Sequence, residues 1–174
     1  MKVIEYHERT KHLPNRPANS AGYLDWATEP NPFRNYEGTS PIQLPFSNTN
    51  SGANYFDLFV RKNDKFQPFS LANIASLLEL SMGLSAWKSY SGTSWALRMN
   101  PSSGNLHPTE AHFVLPPIRE NNNSGGVFHY NPLSHVLEPR AEFNEQFWSG
   151  LENHFEQKGF LIGLTSIYWR ESWK

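Results

Sequence analysis

Asn100-Pro101-Ser102-Ser103-Gly104-Asn105-Leu106-His107-Pro108 is the stretch on which the reading of this chain turns. Two prolines stiffen it, and Gly104 permits either a close backbone approach or a positive φ. Two hydroxyls, one amide and one imidazole are concentrated in its six residues 102–107. Clusters of Pro, Ser, Gly and Asn are ordinarily no more than turns. This one also offers the polar handles, on a stiff backbone, that a planar polar ligand needs. What lies on either side weighs the two readings against each other.

Upstream, Ser70 is placed to cap a helix, with Leu71, Ile74, Leu77, Leu78 and Met82 at helical spacing behind it. Gly83 or Gly92 is expected to end that helical region. Downstream, residues 110–116 read as a strand closed by Pro116-Pro117, and 118–125 as an Asn/Ser/Gly loop. Val127-Phe128-His129-Tyr130 and Val136-Leu137-Glu138 flank Asn131-Pro132-Leu133-Ser134, the pattern of a β-hairpin. Phe143, Phe147, Leu151 and Phe155 mark one face of a second helix. Residues 160–168 read as a buried strand. The final stretch from Trp169 to Lys174 has no terminal character, so the expectation is the first part of a larger α+β domain.

Residues 1–56 differ in kind. They are rich in Pro, Asn and single aromatics (Tyr6, Tyr23, Trp26, Phe33, Tyr36, Phe46, Tyr55, Phe56) and hold no period for long. We read them as an extended arm packed piecemeal on a body spanning 57–174, since a disordered tail carries fewer aromatics. The whole chain of 174 residues is long enough for a real core. Its 15 Lys+Arg against 16 Asp+Glu create no field that favours nucleic acid or an anionic membrane. Without cysteine, disulfides, thiolate metal sites and cysteine nucleophiles are excluded. The N-terminus turns polar too early for a signal peptide, and no stretch of transmembrane length is free of charge. Cytoplasmic residence is the default expectation.

Several motifs fail on geometry. His7 and His12 bracket a Glu in a way that resembles a zinc-protease motif. They are five residues apart, however, about 140° round a helix rather than on one face. His107, Glu110 and His112 could be assembled into a metal site, but without a compact ligand pattern they read as ordinary polar residues. No G-x-S-x-G, Walker or G-x-G-x-x-G pattern occurs. Arg61-Lys62-Asn63-Asp64-Lys65-Phe66 places three cations ahead of the first strong helix. It reads either as a solvated basic turn or as a phosphate anchor.

Taken together, four blocks resemble the nitroreductase-like flavoproteins. They are Leu80–Lys88, Trp95-Ala-Leu-Arg98, Asn100–Pro108 and Gly126-Val-Phe-His-Tyr-Asn-Pro132, the last continued by Leu133–Pro139. Within that family the branch most similar is the SagB-type dehydrogenases. The resemblance covers about residues 70–170. It implies an α+β fold with a central, mainly antiparallel sheet flanked by helices, incomplete here at the C-terminus. It further implies a homodimer that binds FMN. By match to the family's loop, Ser102, Ser103, Gly104, Asn105 and His107 would lie along the flavin ring. Arg61, Lys62 and Lys65 stand nearest to the family's Arg-Arg-Ser-x-Arg phosphate motif, with lysines and Asn63 in place of two arginines and the serine.

The function so implied is an FMN-dependent oxidoreductase that passes hydride or electrons through flavin N5 to or from a small organic substrate, with NAD(P)H as an electron donor. No residue is expected to serve as a general acid or base, because the cofactor carries the chemistry. The alternative is a non-catalytic module that keeps the scaffold and acts in binding or assembly.

Overall fold

The computed structural model of the chain describes residues 2–19, 22–47, 55–59, 68–118, 124–155 and 159–173. In chain order its first elements are α1 (Val3–Thr10), β1 (Ile42–Gln43), α2 (Leu71–Met82), β2 (Leu84–Tyr90) and β3 (Thr93–Arg98). They are followed by β4 (Thr109–Leu115), β5 (Gly126–Asn131), β6 (Val136–Glu142), α3 (Glu145–Phe155), β7 (Leu161–Ser166) and α4 (Tyr168–Trp173). Among the described residues no helix is long and apolar enough to cross a membrane.

Helix α2 forms where the periodicity places it. The Ser70 hydroxyl accepts from the Asn73 N–H at 3.2 Å, filling one of the orphan donors of the first turn. At the other end the Gly83 N–H donates to the Leu78 and Glu79 carbonyls, at 2.9 and 3.2 Å, and the helix stops. Its Leu71, Ile74, Ala75 and Leu78 are buried against one face of a sheet. That sheet is antiparallel throughout, in the order β1-β6-β5-β4-β7.

Alternation along the strands gives the two faces opposite characters. Ala111, Phe113 and Leu115 of β4, Phe128 and Tyr130 of β5 and Leu137 of β6 join α2 in one apolar cluster. Glu110, His112, His129, Asn131 and Glu138 occupy the other face. The register sets His112 opposite His129, and His129 opposite Glu138, so one row of that face is polar across three strands. A turn with positive φ at Gly125 closes the approach to β5. A Cβ there would lie 2.8 Å from the Pro117 nitrogen and 2.9 Å from the Leu115 carbonyl oxygen.

The arm reaches the sheet in several places. Ile42 and Gln43 pair with Leu137 and Val136 as a short fifth strand, and Leu44 enters the core. Phe46 stacks on His135 at 4.5 Å, and the Ser47 N–H donates to a Glu79 carboxylate oxygen at 2.7 Å. Trp26 meets Trp173 edge-on at 5.4 Å. Helix α1, by contrast, buries none of its residues.

Three expectations need correction. Of the two expected stops Gly83 ends the helix and Gly92 does not: residues 84–98 form the β2–β3 hairpin, whose turn holds Ser91 and Gly92 at φ 48° and 82°. Paired positive φ values suit a tight hairpin turn. The strand expected at 160–168 forms as β7 but is exposed along its whole length. It is the edge of the sheet, and Leu161, Ile162 and Leu164 are open to solvent. In α3 the side chain that is buried is Trp148, whereas Phe147, a member of the expected face, is half exposed.

Candidate functional site

The 100–108 loop joins the end of β3 to the start of β4, and both ends are fastened by backbone bonds. Beside its entry, Met99 N–H donates to the Gly83 carbonyl at 2.9 Å; at its exit, the Pro108 carbonyl accepts from Ile167 N–H at 2.8 Å. Between them the backbone is unusual. Gly104, Asn105 and His107 take φ of 64°, 57° and 45°. Glycine adopts this region freely and asparagine tolerates it, but histidine does so at a cost of about 1–3 kcal/mol.

Internal bonds offset that strain. The Asn105 N–H donates to the Ser102 carbonyl at 3.1 Å and the His107 N–H to the Ser102 hydroxyl at 3.0 Å. The imidazole Nε2 of His107 lies 2.9 Å from the Asn105 side-chain oxygen. The loop is therefore a self-bonded knot in which His107 is buried while Ser103 and Gly104 face outward. Two buried atoms of this loop have no partner among the described residues, the Asn100 amide oxygen and His107 Nδ1.

Beneath the knot lies a floor of buried charge. Arg98, at the end of β3, donates to the Pro32 carbonyl and packs over the Phe33 ring at 4.8 Å. Arg170, from α4, donates through Nη1 to the His107 carbonyl at 2.8 Å and also to a Glu110 carboxylate oxygen. Glu110 is held from its other oxygen by His129 Nε2 at 2.7 Å, and His129 Nδ1 faces Glu138 at 2.8 Å. Glu138 in turn accepts from the Asn131 amide at 3.0 Å and from the Tyr36 N–H at 3.4 Å. The Tyr36 ring closes this row edge-on to His129 at 5.1 Å, with the Arg140 guanidinium on its face at 3.6 Å. The row runs from arm to loop across the face of the sheet opposite α2.

Burial and two arginines govern the titration of the floor. Desolvation, then the charges of Arg98 and Arg170, push His107 down to about 4, so the ring is neutral near pH 7. With Nε2 donating to Asn105, its Nδ1 presents a lone pair. Burial alone would raise the Glu110 carboxyl, but the bonds from His129 and Arg170 outweigh it and hold it below the usual range. Burial, reinforced by Arg170, brings Arg98 down to about 10, still cationic at neutral pH.

The neutral His107 makes stability depend on pH. Its folded pKa is depressed, so its contribution is fully present above the unfolded value near 6.5 and is lost as pH falls toward 4. Native protein should lose of order 2 kcal/mol more unfolding free energy over that window than His107→Gln, after discounting for solvent screening. Denaturant melts at a series of pH values read this directly; parallel curves for the two proteins would show that the ring is not held neutral.

The structure thus brings Ser102, Ser103, Gly104, Asn105 and His107 into one loop. Arg61, Lys62 and Lys65 lie outside the described residues. His107, Glu110 and His112 do not converge: Glu110 turns to His129 and Arg170 instead. Among the described residues no group of three or more His, Asp or Glu side chains is set to hold a metal ion. Sequence reasoning missed Arg98, Arg170, His129 and Glu138. A lone arginine in an apolar strand was a signal for Arg98; nothing local marked Arg170.

Between the loop and α4 is a recess of about 180 Å³, lined by Ser102, Ser103, Leu106, Pro108, Arg170 and Glu171. Pockets that enclose a whole ligand of drug size run to about 300–1,000 Å³. This recess is smaller than that range.

No family model matches the chain, and comparison with the curated proteins returns no relative. Among solved structures, a crystal structure described as a "putative nitroreductase" from Anabaena variabilis matches with a TM-score of 0.66 and 26% sequence identity. The match covers 98% of this chain and 33% of that one, so the chain spans about a third of the length of the protein it resembles. The α+β fold, with its five-stranded antiparallel sheet and flanking helices, is nitroreductase-like.

Proposed function

We propose that the chain supplies part of the FMN site of a nitroreductase-like oxidoreductase of the SagB-type branch. The observation that carries this reading is the loop: a backbone held in positive φ by its own bonds, presenting Ser103 and Gly104 outward beside an edge-sized recess. The donor set suits a flavin. Its pyrimidine edge carries both donors and acceptors, which hydroxyls and an amide can read, and glycine leaves room for a flat ring. The recess is of a size for one edge of the group rather than all of it.

Within this reading Ser103, Gly104 and the Asn105 NH₂ group meet the ligand, while Ser102 and His107 brace the loop from within. Arg61, Lys62 and Lys65 are carried as phosphate contacts on the resemblance alone. Bound flavin supplies the two-electron chemistry between a nicotinamide or organic donor and a small organic acceptor; the chain's own residues bind and orient it. A homodimer working in the cytoplasm completes the proposal.

A second reading has an observation of its own. The Ser102 hydroxyl, the Asn105 oxygen and His107 Nε2 are already engaged in bonds within the loop. A loop so self-satisfied also suits a binding or assembly module without a cofactor. Titrating FMN into the purified protein, followed by quenching of flavin fluorescence, separates the two. Saturable binding supports the oxidoreductase reading, and no binding by the protein or its homodimer rejects it. Asn105→Gly keeps the backbone conformation and removes the amide. It should weaken FMN by on the order of 1–3 kcal/mol through lost hydrogen bonds, and an unchanged affinity would remove Asn105 from the ring.

A further inference from the structure

We propose that Arg170 is a positioning residue for the 100–108 loop, holding it in its ligand-facing form through the His107 carbonyl. The proposal deepens the functional reading, since it rests on that loop being the part that meets the ligand. It concerns a residue that touches no ligand itself and lies more than sixty positions along the chain from the loop's end.

The geometry points to Arg170 for three reasons. First, the bond falls on the strained residue: His107 has φ 45°, and its carbonyl is the acceptor of Arg170 Nη1 at 2.8 Å. A side chain that fixes the orientation of that peptide fixes the turn of the loop into β4. Second, Arg170 cannot drift. It is 4% exposed, and the same Nη1 donates to Glu110, which His129 holds from behind and Glu138 steadies in turn. A guanidinium presents several donors in one rigid plane, so it can bridge a carbonyl and a carboxylate as a single piece. Third, Arg170 lines the recess together with Ser102 and Ser103, so the floor that holds the loop is also a wall of the place where a ligand's edge would enter.

No other bond from a side chain outside the loop to a loop carbonyl is present among the described residues. Apart from the backbone bond that the Pro108 carbonyl accepts from Ile167 N–H at the loop's exit, the remaining bonds of the knot are internal, between Ser102, Asn105 and His107. The internal bonds set the local shape, while Arg170 is the side chain that ties the strained His107 peptide to the sheet.

Amide hydrogen exchange on the free protein tests this without any cofactor. The reporters are the Asn105 and His107 amides, with the β5–β6 amides as the reference for global stability. Glu110→Gln keeps an acceptor for the guanidinium and should leave loop protection within about threefold of native. The double variant Glu110→Gln with Arg170→Leu removes both charges together, so no buried carboxylate is stranded. Its loop amides should exchange at least tenfold faster while the β5–β6 amides keep their protection. Unchanged loop protection in the double variant overturns the proposal. So does a loss already complete in Glu110→Gln, or a parallel loss in loop and sheet.

The unaltered protein gives a second reading should the double variant not fold. Slowly exchanging Arg170 Nη protons with a through-bond correlation to the His107 carbonyl support the assignment; a freely exchanging guanidinium refutes it. FMN added afterwards should bind the folded double variant at least tenfold more weakly than native. If native protein binds no FMN, the functional reading fails, and the exchange data still decide the role of Arg170.

Discussion

Arg170→Leu is expected to destabilise the fold by about 3–5 kcal/mol at neutral pH, because it strands the Glu110 carboxylate where 2% of the residue is exposed. Breaking a buried pair from one side costs more than the pair contributes, since the remaining charge has neither water nor a full set of partners. Glu110 keeps only its bond from His129, and the His107 carbonyl loses its donor. Against a total stability of about 5–15 kcal/mol, a loss of that size is a large share of the fold.

The penalty should depend on pH in a definite sense. Glu110 has a depressed pKa in the native fold, so it stabilises above the unfolded carboxylate range near 4.3 and loses that role as pH falls through the native value. Leucine at 170 removes one of the two bonds that depress it. The carboxyl then takes up a proton more readily, and a protonated carboxyl needs no cation. Urea melts should show the gap between native and variant widest above about pH 5 and closing on acidification. A gap below about 1 kcal/mol at pH 7, or one that does not change with pH, would mean the pair is not a buried ionic contact.

Phe113→Ala tests the opposite face and carries a comparable expected loss, about 3–5 kcal/mol. Phe113 is fully buried between α2 and the sheet, among Leu71, Ile74, Leu78, Leu115 and Phe128. Truncation removes the transfer free energy of the ring and leaves a cavity whose walls, one helix and one sheet, cannot close fully. No titrating group lies in that cluster with its charge at stake, so the loss should be flat from about pH 5 to 8. Two variants of similar cost, one dependent on pH and one not, would establish that one sheet carries an apolar layer on one side and an ionic layer on the other. A loss under about 1.5 kcal/mol for Phe113→Ala would place the core elsewhere.

Much of the apolar layer is legible in the order of residues along the chain. Leu71, Ile74 and Leu78 recur at helical spacing, Ser70 caps them, and Gly83 ends the helix where the side-chain pattern stops. The β5–β6 hairpin is equally plain from its alternation on either side of Asn131-Pro132-Leu133-Ser134. The positive φ at Gly104 follows from the residue type and its neighbours. Each of these signals acts over fewer than a dozen residues.

Where the sequence misled, the competing cause lay mostly at a distance. β7 has the composition of a buried strand, yet it takes the edge of the sheet and is exposed, and whether an edge is covered depends on what packs there from elsewhere in the fold. The β2–β3 hairpin was hidden because its strands are short of clean alternation, although Ser91-Gly92 between Tyr90 and Thr93 is turn chemistry. Ile42 and Gln43 become a strand only because β6 offers a free edge to them.

From the chain alone come a helix, a set of strands, the faces they turn to a core and a stiff polar loop with one obligatory glycine-like bend. What stands under that loop is a matter of tertiary structure only. Glu110 meets His129 across 19 positions, and Arg170 reaches Glu110 across 60. Tyr36 reaches Glu138 across 102. Periodicity and capping are set by neighbours along the chain, and so they can be read from it. A buried charge is tolerated only where a partner arrives from elsewhere, and which segment arrives is settled by how the layers close over the sheet.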